Sequence, residues 1–312
     1  METVAAGGST YPSMLHGEVD LSLRDDSNFA RLSFRLCYNS PMDNQTRKAK
    51  MIETFNAVSP GYDNPALRFF PESAKFMTRY LDVPDIRRVL DLATGTGNLS
   101  LEIARTFPGA QVTGIDFSAG MLAQARKKAE AENFMNAEFL EMDMNDITLP
   151  DNHFDAAVCA FGVFFAEDMA KQLRHIAAKI RPGGRIIISC FYEDSFQPLV
   201  EIFSRRLEHY GVERPSLRWK LIATALKCRA LFLDAGLEEI RVENKDLGYY
   251  LKDAEEWWDV VWNAGFRVQV SQLSTADLKK FREEHLREIE ALRIEEGIWL
   301  NVNVLYAYGI KT

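Results

Sequence analysis

Residues 89 to 97 read Val-Leu-Asp-Leu-Ala-Thr-Gly-Thr-Gly, an apolar run that carries one acid, Asp91, and breaks into a glycine loop. The run has the apolar density of a central parallel strand, and Gly95 and Gly97 let backbone approach a ligand where a Cβ would collide. A helical pattern opens near Asn98 and aims its free amides back at the loop. Strand, glycine turn and helix N-terminus together predict a nucleotide-sized crevice at the carboxyl end of a sheet.

The choice of nucleotide turns on Asp91. A dinucleotide fingerprint needs G-x-G-x-x-G, but the run from Gly95 is Gly-Thr-Gly-Asn-Leu-Ser, with Ser100 where the third glycine belongs. A carboxylate pointed into the crevice repels a diphosphate and welcomes a cation. S-adenosylmethionine (SAM) carries an ammonium and a sulfonium and no phosphate, so this chemistry favours SAM over NAD.

Asp91-Leu92-Ala93-Thr94-Gly95-Thr96-Gly97 resembles motif I of the class I SAM-dependent methyltransferases, and its form is closest to the ubiquinone/menaquinone-biosynthesis methyltransferase type. Ala93 stands where the general pattern has its first glycine, a departure that this type shares. The resemblance implies that Asp91, Gly95 and Gly97, with Ala93 and Thr96 between them, hold the methionine moiety. Val112 to Ser118 resembles the second strand, so Asp116 and Phe117 would serve ribose and adenine; a carboxylate suits a vicinal diol because two O–H donors meet two oxygens. Phe139 to Met144 resembles the third strand, so Asp143 and Met144 would serve adenine. Phe154 to Ala160 resembles the fourth, with Ala160 giving backbone contact under the methionine. Taken singly, Asp116 or Asp143 reads more simply as a helix cap or a solvated loop residue, and the shared spacing is what favours binding. Met121, a core residue by default, can equally floor the adenine site. Ser118 reads as an N-cap, and Pro182-Gly183-Gly184 as a helix stop and turn.

The elements that must position these residues follow from the same resemblance, which covers residues 85 to 192. It implies an α/β, Rossmann-like seven-stranded sheet in the order 3-2-1-4-5-7-6 with the last strand antiparallel. Residues 1–45 mix Gly, Ser, Asp and Asn and are expected to be a loosely ordered arm. Residues 46–84 read as a helical lid segment broken near Ser59-Pro60-Gly61, and 85–312 as the methyltransferase domain. Helical insertions at about 194–234 and 253–296 follow the fifth and sixth strands and are candidate substrate covers. The fifth strand is expected over Arg185 to Cys190 and the last over Trp299 to Ile310. Tyr62 in the lid can offer a hydroxyl to a carboxylate and a ring to a cation. Tyr249, Tyr250, Trp257, Trp258, Trp262 and Phe266 form an aromatic concentration, mostly core, of which a few are free to wall an apolar substrate pocket.

A chain of 312 residues, 47% apolar, can bury a large core. Cys37, Cys159, Cys190 and Cys228 lack metal or redox spacing and read as core thiols in a reducing compartment. With no signal peptide and no integral membrane segment, the expected location is cytoplasmic. A net charge of −8 argues against a nucleic-acid partner. The expected partner is a small-molecule methyl acceptor, and an N-terminal arm able to exchange between subunits allows a homodimer. No His, Cys and carboxylate cluster has metal-ligand spacing, so no metal is expected. His153 and His175 read as structural; His209 and Tyr62 are the candidates for a catalytic group, needed only if the nucleophile arrives protonated. The expected activity is methyl transfer from SAM, with quinone-precursor C-methylation as a narrower form. A non-catalytic SAM-binding protein and an NAD-dependent oxidoreductase are the alternatives of other classes.

Overall fold

Arg88–Leu92 forms β1 at the middle of a seven-stranded sheet in the computed structural model, which describes residues 44–83 and 85–312. The other strands are β2 (Gln111–Asp116), β3 (Ala137–Glu141), β4 (Phe154–Ala160), β5 (Ile180–Phe191), β6 (Leu237–Asp246) and β9 (Asn303–Lys311). Their order is β3-β2-β1-β4-β5-β9-β6, and β9 runs antiparallel to both neighbours. This is the expected sheet, with β9 as its seventh strand. Burial follows position: β1 and β4 are enclosed nearly end to end, whereas β3 and β6 at the two edges keep half or more of their side chains open. Parallel central strands covered on both faces need continuous apolar runs, and the sequence supplies them there.

Helices α3 (Asn98–Thr106), α4 (Ala119–Ala131) and α5 (Met169–Lys179) connect the parallel strands. Ser118 caps α4 by accepting from Met121 N, and Asp168 caps α5 by accepting from Lys171 N. Gly97 caps α3 at φ 80°, and a Cβ there would lie 3.0 Å from Ala125, so space and backbone both require glycine.

Two boundaries differ from expectation. Pro182-Gly183-Gly184 is not a turn: β5 starts at Ile180, with Gly183 at φ 76° where the pairing with β4 slips between Phe154 and Ala156. A bulge absorbs the proline and glycines inside the strand, which local turn chemistry does not reveal. The expected last strand is also divided. Ile298–Leu300, β8, pairs with Tyr249–Leu251, β7, in a separate ladder, and only from Asn303 does the chain enter the main sheet.

The remaining helices lie before β1 or in the two late insertions. α1 (Asn44–Val58) and α2 (Phe69–Met77) precede the sheet, joined by single turns at Ser59–Gly61 and Pro65–Leu67. α6 (Leu199–His209) and α7 (Ala225–Asp234) follow β5; α8 (Ala254–Asn263), the one-turn α9 (Arg267–Val270) and α10 (Thr275–Glu290) fall between β7 and β8. α10 packs on α6 and α8, where Phe281 meets Phe203 edge-on at 5.8 Å and His285 accepts a hydrogen bond from Trp257 Nε1 at 2.8 Å. Residues 1 to 43, most of the expected arm, lie outside the described residues, as do Cys37 and His16. No described helix is long and apolar enough to cross a membrane.

Candidate active site

The loop after β1 turns back under the tip of β2. Asp116 fastens the two: its Oδ2 accepts from Gly95 N and its Oδ1 from Ser118 N, both at 2.9 Å. Burial pushes the Asp116 carboxyl upward, and these backbone donors oppose the shift. Above the two tips lies a cleft that holds about 450 Å³ counted out to its mouth. Of the residues expected to bind the cofactor, Tyr62, Ala93, Gly95, Asp116, Phe117, Met121, Met144 and Ala160 line it.

Four others take different places. Asp91 is 1% exposed, and its Oδ2 accepts from Thr94 Oγ1 and Ser100 Oγ, each at 2.7 Å. It does not point into the cleft as expected; it stitches the glycine loop to α3 from beneath. Burial raises its pKa to about 6 against those two hydroxyl bonds. Asp143 sits at the rim, paired with Lys48 of α1 at 2.6 Å and accepting from Asn145 N. Burial works to raise its pKa, but Lys48 and Asn145 prevail and hold it below the ordinary value. Thr96 donates to Asp63 Oδ1 at 2.8 Å, and Gly97 is occupied as the α3 cap.

Sequence reasoning passed over Phe55, Phe161, Gly162 and Phe165, which complete the lining. Phe55 belongs to α1, whose apolar positions show no clear helical stripe to mark it. Asn56 next to it anchors the helix: its Oδ1 accepts from Ser118 Oγ at 2.8 Å and Gly120 N at 2.9 Å. The approach is close, since a Cβ on Gly120 would lie 2.8 Å from Ser59 Oγ. Two non-glycine residues of the lining hold left-handed backbone, Ala93 at φ 51° and Phe161 at φ 54°. Such strain persists only where surroundings enforce it, and here the β1 and β4 loops press together: a Cβ on Gly162 would lie 2.8 Å from that of Ala93.

Phe55, Tyr62, Phe161 and Phe165 also wall a second, larger cavity of about 980 Å³ counted to its mouth. Its other walls come from the two late insertions and from Phe69, Phe164, Phe191 and Phe196. Ring contacts bind them into one shell: Phe161 stacks on Phe191 at 4.5 Å, and Phe196 meets Trp219 and Phe266 edge-on at 5.9 Å. Of the aromatic concentration at 249–266, Phe266 lines this chamber while Trp257 and Trp258 are core. The charged residue of the wall, Arg218, donates to Phe164 O and Ala166 O at 2.7 and 2.6 Å.

Among the described residues, neither of the two candidates for a catalytic group is placed as a general base. Burial, then Asp116 and Asp63, raise the Tyr62 phenol far above its ordinary value, so at neutral pH it is a hydrogen-bond donor. His209, the other candidate, ends α6 with its ring against Arg205 O at 2.7 Å, exposed and outside both linings. His175 accepts from Ile147 N and is structural.

The cleft suits SAM. A fixed carboxylate, Asp116, offers acceptor positions for a diol, Phe117, Met121 and Met144 supply apolar surface for a purine, and among the described residues no cation lines the space to receive a diphosphate.

Known proteins agree with this geometry. Residues 89–184 match the family described as "Methyltransferase domain". The chain is 40% identical over 139 residues to the demethylmenaquinone methyltransferase of Thermus thermophilus, across 43% of this chain and 62% of that protein. It is 33% identical over 153 residues to a ubiquinone/menaquinone biosynthesis C-methyltransferase of Geotalea daltonii, across 47% of this chain and 65% of that protein. The chain thus spans less than two thirds of these relatives' own length. In fold it is similar to the YcgJ protein of Bacillus subtilis, with a TM-score of 0.53 at 20% identity over 77% of this chain and 98% of that one. Across residues 89–184 the chain therefore matches a methyltransferase domain, and part of it is similar to enzymes of ubiquinone and menaquinone biosynthesis.

Proposed function

We propose that this protein transfers a methyl group from SAM to a small, apolar, ring-bearing acceptor. The observation that carries the reading is the adjacency of the two cavities: a cleft lined by a carboxylate shares Phe55, Tyr62, Phe161 and Phe165 with an aromatic chamber. Bound in the cleft, SAM would supply a methyl group on a positive sulfur, ready for displacement by a nucleophile. The chain's own part is to place the partners and keep water away. Asp116 receives the ribose hydroxyls, the backbone of Gly95 and Ala160 lines the methionine end, and Asp91 keeps the glycine loop in shape from below. The four shared aromatic residues enclose the junction in low dielectric, and holding two reactants there removes most of the entropic cost of their meeting. Among the described residues the two walls offer no carboxylate or histidine but Asp116, which this reading assigns to the ribose, so it asks for an acceptor whose nucleophile needs no proton removed by the protein.

One narrower reading is C-methylation of an electron-rich quinone precursor, in which a ring carbon displaces the sulfur of SAM from the methyl group and the ring then releases its proton to water. It rests on the similarity to proteins named for ubiquinone and menaquinone biosynthesis and on the aromatic chamber. The other site assignments, Ala93, Thr96 and Gly97 around the methionine and Asp143 at the adenine rim, belong to the same proposal.

Calorimetric titration with SAM and S-adenosylhomocysteine tests it. Micromolar binding, weakened at least about ten-fold in a folded Asp116→Ala variant by loss of charge-assisted hydrogen bonds, is the expected result. No binding by the wild type, with NADH taken up instead, would return the cleft to a dinucleotide. Binding of SAM with no methyl transfer to any reduced quinone would leave a SAM-binding protein.

A further inference from the structure

Among the described residues, three enclosed side-chain polar atoms have no hydrogen-bond partner: Trp219 Nε1, Gln269 Oε1 and His285 Nδ1. The third lies in the packing of α10, but the first two belong to residues that line the aromatic chamber. An enclosed donor and an enclosed acceptor left unpaired cost the folded protein their desolvation, and native proteins rarely keep such groups without a use.

Both are held in place. Trp219, 8% exposed, meets Phe191 and Phe196 edge-on at 5.5 and 5.9 Å. The residue before it, Arg218, fixes this turn by its bonds to Phe164 O and Ala166 O. Gln269 lies in α9, which Arg267 ties to α1 through a 2.9 Å bond to Ala57 O. The indole N–H can only donate, and the amide oxygen only accepts. A neutral hydroxyl can satisfy both, accepting from the indole and donating to the amide oxygen, without bringing charge into an aromatic shell.

We infer that Trp219 and Gln269 select the acceptor, the Trp219 indole donating to, and the Gln269 amide oxygen accepting from, one neutral hydroxyl on a flat apolar ring. The inference rests on the methyltransferase reading for its place in a reaction but not for its binding chemistry. An anionic group on the same ring is disfavoured, because Gln269 then meets a second acceptor and the chamber's cation is already bonded to carbonyls. A site built to pair a hydroxyl rejects the analogue that lacks it, since its own polar groups are then stranded.

The test uses the full chain saturated with S-adenosylhomocysteine and three probes, naphthalene, 2-naphthol and 2-naphthoate, titrated by calorimetry. The wild type should bind 2-naphthol about ten-fold more tightly than naphthalene, the span of one or two neutral hydrogen bonds, and 2-naphthoate more weakly than 2-naphthol. Trp219→Phe and Gln269→Leu should each cut the preference for 2-naphthol to about two-fold or less while leaving naphthalene affinity nearly unchanged. Should Trp219→Phe fail to fold, Gln269→Leu alone decides. Equal affinity of the wild type for naphthalene and 2-naphthol, as a direct Trp219 to Gln269 hydrogen bond would give, overturns the inference, and so does a preference that survives in the folded variants. Selective 2-naphthol binding without S-adenosylhomocysteine binding would remove the methyltransferase reading and keep the selector; the reverse result would remove the selector alone.

Discussion

Asp91 and Asp116 sit at the ends of adjacent strands, yet their surroundings give them separate tasks. Asp116 faces the cleft and also fastens the β1 loop to the β2 tip, so Asp116→Ala should weaken SAM binding and lower the melting temperature as well. Asp91 is a buried charge whose folded pKa, about 6, stands above the ordinary 3.8. Its native state therefore takes up a proton before the unfolded chain does, and the protein gains stability from this group as pH falls from about 6 to 4. The gain amounts to about 3 kcal/mol at most. Asp91→Asn keeps the means to pair with Thr94 and Ser100 without the charge, and should raise the melting temperature at pH 7 by several degrees while abolishing that gain. Thermal melts of both proteins from pH 7 to 4 measure it. The sequence located both carboxylates but not the difference between them. Hydroxyls at Thr94 and Ser100 were visible as residue types; that they turn inward to claim Asp91 depends on how α3 packs, which no local pattern encodes.

His285 shows the opposite sign at the scale of packed elements. It is wholly buried among Phe203, Phe281 and Trp257, and burial, with Arg206 adding to it, lowers its pKa from 6.5 to about 3. Glu288, 3.9 Å from Nδ1, is the nearest carboxylate and does not offset the burial. The unfolded chain protonates first, so the α6, α8 and α10 packing loses stability as pH falls below 6.5. Between about pH 6 and 4 this loss and the Asp91 gain oppose each other. Asp91→Asn should consequently expose a steeper acid limb than the wild type shows, and His285→Gln a shallower one. Before the sheet, α1 is held to the β2 tip by Asn56. Asn56→Ala, or Gly120→Ala, whose new Cβ would press on Ser59, should weaken SAM binding about three- to thirty-fold, judged from the loss of one or two hydrogen bonds. Stopped-flow binding should place most of the change in the dissociation rate. Among elements, the parallel strands were legible because burial on both faces forces continuous apolar runs. The bulged start of β5 and the division of the last strand were not, since each depends on pairing with distant chain.

Across the whole molecule the two cavities share four side chains, so what fills one reshapes the wall of the other. Saturation with S-adenosylhomocysteine should raise the affinity for a ring-bearing acceptor by about five-fold or more, and linkage requires the acceptor to raise S-adenosylhomocysteine affinity equally. Titrating each ligand with and without the other measures both; equal affinities throughout would show that the shared wall is inert. The sequence placed helical insertions after the fifth and sixth strands, and residues of both line the larger cavity. It could not say which aromatic residues of 249–266 turn to the chamber, as core and pocket draw on the same residue types at the same helical spacing.

The β7–β8 ladder gives the second insertion a narrow base. Tyr249 pairs with Leu300 and Leu251 with Ile298, so α8, α9 and α10 leave and rejoin the sheet through one short two-stranded neck. Such a neck makes the insertion a cassette that evolution or an engineer can exchange without disturbing β6 or β9. The cassette is not autonomous, for Arg206 on α6 grips Glu284 at 2.7 Å and Glu288 at 2.6 Å, and Phe203 enters the same packing. The insertion also bonds to α1 through Arg267 and Ala57 O and packs Phe266 on Phe196, so a graft of α6 with residues 252 to 297 should bring its source's acceptor preference only if those two contacts are matched in the host.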